Sequence, residues 1–503
     1  MSLIAKALSG MRWGALATGT TIVINLGYTA IMARLLAPSA FGLIAMAQIA
    51  IRFLSYFAQL GVGPALVQKE TLTEEDIRAA LTLSVMVNGS LFAIMWLGAP
   101  LAGVFFHNPE IVPILRGLCA AFLFSGISVV PVHLLRRNLR FKQLAIIETT
   151  GYAIGYGVVG IGCALSGLGV WSLVFAVLGQ EAVTLALAYA MTRHSLRPLL
   201  SARHFGHFVR FGSKYSVIGF MEYIGGNLDS ILIGRWLGDT ALGYYNRAQM
   251  LVRLPVHHVA NMLAKVIFPV LSSTQSDKPK LAQAFLAGWF LIGCVAGSIS
   301  LALIPAATDA VYTLLGERWT SIVPVVQIAA MAVPFAFLTV LTGSVCDAQG
   351  ILWPKLAIQF ATLAVLVAAI LLLRAEGNTG FAKAMVIAEA FRLVLYVILH
   401  FRLLPIDFRA FVLVNLAVAT IAGGTTLAVW QTALLLDGHA WPHLFRLIAE
   451  GLGGGLAFLT GLLLSWSWLR HLPAFLGIRD YLPWLRRLES LLWRKGASEA
   501  AGG

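Results

Sequence analysis

Gln48 and Arg52 stand four residues apart in an otherwise apolar stretch, FGLIAMAQIAIRFL at 41–54, and Gln249 and Arg253 repeat that spacing in LGYYNRAQMLVRLP at 242–255. Residues four apart on a helix share a face, so each stretch presents an amide beside a guanidinium. A guanidinium within a bilayer costs about 2.5–3.5 kcal/mol on insertion scales and normally faces water, protein or a charged ligand. Two at matched positions would form an anion clamp, because the planar fork grips phosphate or carboxylate oxygens bidentately and keeps its charge. Arg247 adds a third cation next to Tyr244, Tyr245 and Asn246. Tyr and Asn can bond sugar hydroxyls, yet Tyr at a membrane interface is equally expected without any ligand. Asn25, Asn227 and Asn261 are further polar candidates for the same cavity.

A structural reading stands beside this one. Glu222 and Asp229, seven apart on one face, could neutralise Arg253 or Arg247, or could carry a coupling proton or ion if desolvated. No acid sits near Arg52 in its own stretch or the ones flanking it, which favours a ligand for Arg52. Arg34 and Arg235 fall at the outer ends of their segments and read as snorkelling anchors. Glu148, Glu181, Asp309, Asp347, Glu389 and Arg392 are weaker sites, with Glu389 and Arg392 spaced as an internal pair. His257 and His258 are adjacent and so diverge, which suits no metal, and no cofactor is expected.

The elements that must hold these residues are membrane helices. Of 503 residues, 59% are hydrophobic and only 12% charged, against roughly 25% charged in soluble domains. Apolar runs of about 20 residues, the length that crosses a bilayer, are expected near 13–36, 40–62, 79–104, 111–135, 144–166, 169–191, 208–235, 241–268, 282–305, 320–346, 351–373, 380–401, 410–432 and 445–468. That pattern is all-α and polytopic, with about fourteen spans. The net charge of +14 lies in short tracts such as 136–142, 193–214 and 470–495, which follows the positive-inside rule with both termini cytoplasmic rather than a nucleic-acid footprint. The first span acts as the insertion signal, since no cleavage site follows the N-terminus. Cys119, Cys163, Cys294 and Cys346 each lie alone among apolar residues and read as packing. GLGGG at 451–455 reads as close helix packing, with no strand before it to make a phosphate loop. The segment 479–496 is amphipathic, with Leu485, Leu488, Leu491 and Leu492 opposite Arg486, Arg487 and Arg494; it reads as an interfacial helix or a solvated tail.

Shifting 34–53 by 201 positions superposes seven identities in twenty: Arg34 on Arg235, Leu36 on Leu237, Ala40 on Ala241, Gly42 on Gly243, Ala47 on Ala248, Gln48 on Gln249 and Arg52 on Arg253. The chain reads as a duplication: an N-terminal lobe at 1–191, a cytoplasmic linker at 192–207, a C-terminal lobe at 208–402, two extra spans within 403–469 and a tail at 470–503. Six spans per copy give parallel repeats, and transporters of that kind place the substrate between their halves.

No GxSxG, Walker, HExxH or acidic metal-binding motif is present, so transport is expected and not catalysis. LGYYNRAQMLVRLP, ARLLAPSAFGLIAMAQ at 33–48, GVGPALVQKE at 61–70 and RNLRFKQLAIIE at 138–149 resemble the prokaryotic polysaccharide transporters, the colanic-acid and xanthan type of exporter in the multidrug/oligosaccharidyl-lipid/polysaccharide superfamily. The resemblance implies a V-shaped fold of two lobes in the bacterial inner membrane. It further implies flipping of undecaprenyl-diphosphate-linked oligosaccharides toward the periplasm for exopolysaccharide or O-antigen synthesis. Arg52, Arg253 and Arg247 would then attract the diphosphate, and Gln48, Gln249 and Tyr245 would meet sugars. The expected partners are the lipid-linked oligosaccharide, membrane lipids, and polymerase and chain-length machinery. A lipid II flippase and a drug/cation antiporter of the same superfamily are the competing expectations.

Overall fold

The computed structural model describes residues 3–58, 62–200, 223, 225–253, 274, 277–437 and 441–469; every regular element among them is helical and none is a strand. The first helices are α1 (Leu3–Leu35), α2 (Pro38–Ala58), α3 (Val62–Gln68), α4 (Glu74–Phe106), α5 (Ile111–Cys119) and α6 (Ala121–Arg137). Next come α7 (Phe141–Tyr152), a π-helical stretch (Ala153–Gly160), α8 (Ile161–Leu165) and α9 (Trp171–Thr192). Helices α10 (225–236) and α11 (238–253) follow. The chain continues through α12 (Lys278–Leu314), a 3₁₀ turn (Glu317–Ile322), α13 (Val323–Ala348), α14 (Leu352–Leu373), α15 (Asn378–Leu403), α16 (Phe408–Asp437) and α17 (His443–Leu469).

Among the described residues, eleven helical stretches are long and apolar enough to cross a membrane. The helical class matches the sequence reading, while several boundaries differ. Helix α1 begins at Leu3 instead of residue 13. The run expected at 111–135 is two helices meeting at Ala120. Expected spans seven and eight, Glu222, Asn261, His257, His258 and the amphipathic 479–496 segment lie partly or wholly outside the described residues.

Two compact units divide the chain: Met1–Asn246 with Leu314–Trp319, and Arg247–Thr313 with Thr320–Gly503. In the first, α4 starts with a capping box. Thr73 accepts from Asp76 N at 3.2 Å and its own N–H donates to Asp76 Oδ2 at 3.0 Å, while Lys69 Nζ closes on Asp76 Oδ1 at 2.5 Å. Arg137, at the end of α6, donates to Leu66 O at 2.8 Å and Glu70 O at 2.9 Å, so a cation satisfies the orphan carbonyls ending α3. Below this polar rim, Val62, Leu66, Leu81, Val130 and Leu134 join α3, α4 and α6, and Leu135, Leu144, Ile147 and Ala188 join α6, α7 and α9.

In the second unit, small residues set the helix contacts, as expected where lipid gives no hydrophobic drive between helices. Gly293 and Gly297, four apart on α12, face Val418 and Ala422 of α16, and Trp289 Nε1 donates to Asn415 Oδ1 at 3.2 Å on the same seam. Gly453 and Gly454 of the GLGGG run meet Thr432 and Val429 of α16, the close packing that the run implied. Arg392 donates to Glu389 Oε2 at 2.5 Å and to Thr339 Oγ1 at 2.9 Å, so the internal pair also ties α15 to α13. All four cysteines are free thiols.

Candidate functional site

Helix α2 buries Phe41 through Ala47 and then surfaces: Gln48 is half-buried and Arg52 is exposed. Neither makes a hydrogen bond or ion pair among the described residues. Tyr156, on the π-helical stretch, lies within electrostatic reach of both Arg52 and Glu181 of α9. Tyr156 stacks on Tyr152 at 4.4 Å and meets Tyr28 of α1 edge-on at 4.9 Å. An exposed cation therefore stands near an aromatic cluster in the first unit.

The matching pair lies on α11, in the second unit. Gln249 is buried and its Nε2 donates to Met385 Sδ at 3.2 Å. Arg253 is exposed, and its Nη2 approaches the same sulfur at 3.9 Å. A thioether is a weak, uncharged acceptor. Neither Arg52 nor Arg253 reaches a carboxylate among the described residues. Arg247 is half-buried with Nη1 on Met250 Sδ at 3.2 Å.

The other sequence-derived positions are occupied locally. Asn25 accepts from Thr29 Oγ1 at 3.2 Å, and Asn227 Nδ2 donates to Tyr223 O at 2.9 Å. Tyr223 in turn donates to Ile49 O of α2 at 2.9 Å, which fixes the residue beside Gln48. Tyr245, expected to meet a sugar, is 0% exposed and donates to Asp229 Oδ2 at 2.7 Å. Asp229 is buried and also accepts from Ser230 N at 2.7 Å. These two side chains bond α11 to α10 and offer no free surface.

Arg34 and Arg235 do more than anchor. Arg34 Nη1 donates to Ala30 O at 2.9 Å and to Leu314 O, at the end of α12, at 3.3 Å. Arg235 Nη1 reaches Val104 O at 3.2 Å and Phe105 O, at the end of α4, and lies over the Phe105 ring at 5.2 Å. Each cation thus meets the negative pole of a helix C-terminus. Between them the chain crosses itself with no room for side chains. A Cβ on Gly42 would sit 1.7 Å from Asp239 O, and one on Gly243 would sit 2.0 Å from Pro38 O. Pro38 and Asp239 are themselves related by the 201-residue shift, so the crossing is reciprocal. Trp319 seals it: fully buried, it donates Nε1 to Ala33 O at 2.9 Å and meets Phe41 and Tyr244 edge-on at 5.4 and 5.7 Å. Sequence comparison found the two glycines as identities but not their contact; nothing local in the sequence marked Trp319.

The chain is similar to several known proteins. The family described as "Polysaccharide biosynthesis protein" matches residues 31–324. The chain is 25% identical to the teichuronic acid biosynthesis protein TuaB of Bacillus subtilis over 69% of this chain and 72% of that one. It is 26% identical to the lipopolysaccharide biosynthesis protein WzxC of Escherichia coli, covering 65% and 67%. The succinoglycan biosynthesis transport protein ExoT of Rhizobium meliloti is 25% identical, with 64% and 65% covered. Among solved structures, the lipid II flippase MurJ in an inward closed conformation superposes with a TM-score of 0.71 at 13% identity, over 90% of this chain and 98% of that one. An inward-facing multidrug resistance MATE transporter of the MOP superfamily gives 0.58 at 16% identity, covering 80% and 95%. At those identities the structures establish the fold alone.

Proposed function

The chain belongs to the polysaccharide biosynthesis protein family; from this premise we propose that it is a membrane transporter, not an enzyme, and that it flips undecaprenyl-diphosphate-linked oligosaccharide repeat units from the cytoplasmic to the periplasmic leaflet of a bacterial inner membrane. The repeats at 1–191 and 208–402 alternate in access, with both termini cytoplasmic. Arg52 from one repeat and Arg253 from the other supply positive charge to the diphosphate. Gln48 and Gln249 act beside them, and Arg247 reinforces the charge. Tyr245 and Asp229 hold the supporting helices through their mutual hydrogen bond. Asn25 and Asn227 brace the same helices.

One observation carries this reading. Two repeat-related guanidiniums, each costly to hold within a membrane protein, meet no carboxylate among the described residues and nothing better than a thioether. Cations held back from internal pairing are suited to an anion that comes and goes. A cation antiporter would need carboxylates at the positions that Arg52 and Arg253 occupy.

The test is polysaccharide export from cells carrying Arg52→Ala or Arg253→Ala. Export should fall to background while membrane insertion and abundance stay at wild-type levels. Full export by both single variants would end the diphosphate assignment. Restored growth of cells depleted of their lipid II flippase would assign the chain to that substrate instead.

A further inference from the structure

The transport reading leaves one group of charges in the second unit unused. Helix α17 carries His443, Arg446 and Glu450 at spacings of three and four, hence on one face. That face meets Asp309 of α12. His443 Nδ1 lies 2.5 Å from Asp309 Oδ1, and Arg446 Nε lies 3.4 Å from Oδ2. Arg446 Nη2 also bonds Asp437 Oδ1 at the end of α16. Tyr312, one turn along α12 from Asp309, stacks on the His443 ring at 4.4 Å.

Glu450 does not fit an ordinary ion-pair network. It is 1% exposed and Asp309 is 3% exposed. Its carboxyl faces that of Asp309 within hydrogen-bonding reach, yet neither Oε1 nor Oε2 accepts from any N–H or O–H group. The charged groups around it are Asp309 from α12, Asp437 from α16, and Arg446 from its own helix, with His443 beyond Asp309. Three carboxylates therefore share one permanent cation. Two buried neighbouring carboxylates cannot both be ionised, and the stable arrangement shares a proton between them. The donor missing from Glu450 is then its own O–H, directed at Asp309.

We propose that Asp309 and Glu450 form a proton-binding carboxyl pair, loaded through His443. The His443 side chain is 41% exposed where Asp309 is 4%, so the imidazole bridges the surface and the buried pair. A proton arriving from water on Nε2 is matched by release of the Nδ1 proton to Asp309, which passes it to Glu450. With Glu450 neutral, Asp309 and Asp437 face Arg446 and the imidazole, and the cluster carries little net charge. The site lies on α12 and α17, whereas Arg52 and Arg253 are carried by α2 and α11. Only its use as the energy source for export rests on the flippase reading.

The experiment uses the full chain in lipid nanodiscs. Dicyclohexylcarbodiimide, a lipid-soluble probe that adds to protonated carboxyls, is applied across a pH series, and modification of Glu450 is read by peptide mass spectrometry. Glu450 should label at neutral pH, and labelling should fall about tenfold per pH unit once the acid ionises. In parallel, Glu450→Gln, which keeps shape and a hydrogen-bond donor, should release a proton less than wild type on an alkaline pH jump. Equal proton release by wild type and variant, or labelling of Glu450 that does not change with pH, would overturn the site. Export by the Arg52 variant judges the flippase reading separately, so either conclusion can fail alone.

Discussion

Arg34 and Arg235 lie eighteen positions before Arg52 and Arg253 in the same two repeats, yet the two pairs live in different chemistry. The outer pair is satisfied by main-chain carbonyls at the ends of α12 and α4. The inner pair stands exposed, with a sulfur at 3.9 Å as the only hydrogen-bond contact among the described residues, and that for Arg253 alone. The 201-residue shift matches the residue type at both levels, and the surroundings decide the role. A guanidinium on a helix terminus is structural, because the last carbonyls it satisfies have no partner within their own helix. A guanidinium left without one is available to a ligand.

The comparison can be broken most severely at the crossing beside the outer pair. Gly42→Ala should lower stability by about 3 kcal/mol, the upper range for forced overpacking, since its Cβ would meet a backbone carbonyl that cannot swing away. Gly27→Ala, with nothing within 4 Å, is the control and should leave the thermal midpoint in detergent unchanged. Equal midpoints for the two would mean the crossing is loose. Next in size, Arg235→Ala should cost about 1.5–3 kcal/mol, as for a lost hydrogen bond to a charged group, with Arg34→Ala affected in the same direction. The smallest stability effect belongs to the inner pair: Arg52→Ala and Arg253→Ala should stay within about 0.5 kcal/mol of wild type. A midpoint loss for Arg52→Ala matching that of Arg235→Ala would place Arg52 among the structural cations and erase the distinction.

The sequence made parts of this plain and concealed others for physical reasons. Helices were legible because length and hydropathy are properties of a contiguous stretch. The 201-residue repeat was legible because Gln48, Arg52 and their counterparts are polar residues in an apolar setting, where chance identity is informative. The type and place of Tyr245 suit a sugar contact or an interface, while its burial against Asp229 depends on how α10 and α11 turn. Arg34 read as an anchor because its partner, Leu314 O, is 280 residues away. Glu450 was missed beside GLGGG, whose packing role drew the reading. An acid becomes conspicuous only when a second acid, here Asp309, is found facing it across a helix interface.

The reciprocal contact of Gly42 with Asp239 and of Gly243 with Pro38 bears on how the two copies were able to evolve. If the two segments descend from one, each could drift independently elsewhere, and thirteen of the twenty positions compared at 34–53 differ. At the crossing, each copy supplies both the gap and the backbone that fills the other's gap, so a bulkier residue in one is punished in its twin. Homologues should therefore stay invariant at these two glycines while their neighbours diverge, and an ancestral half-length protein would have met the same restriction on pairing with itself.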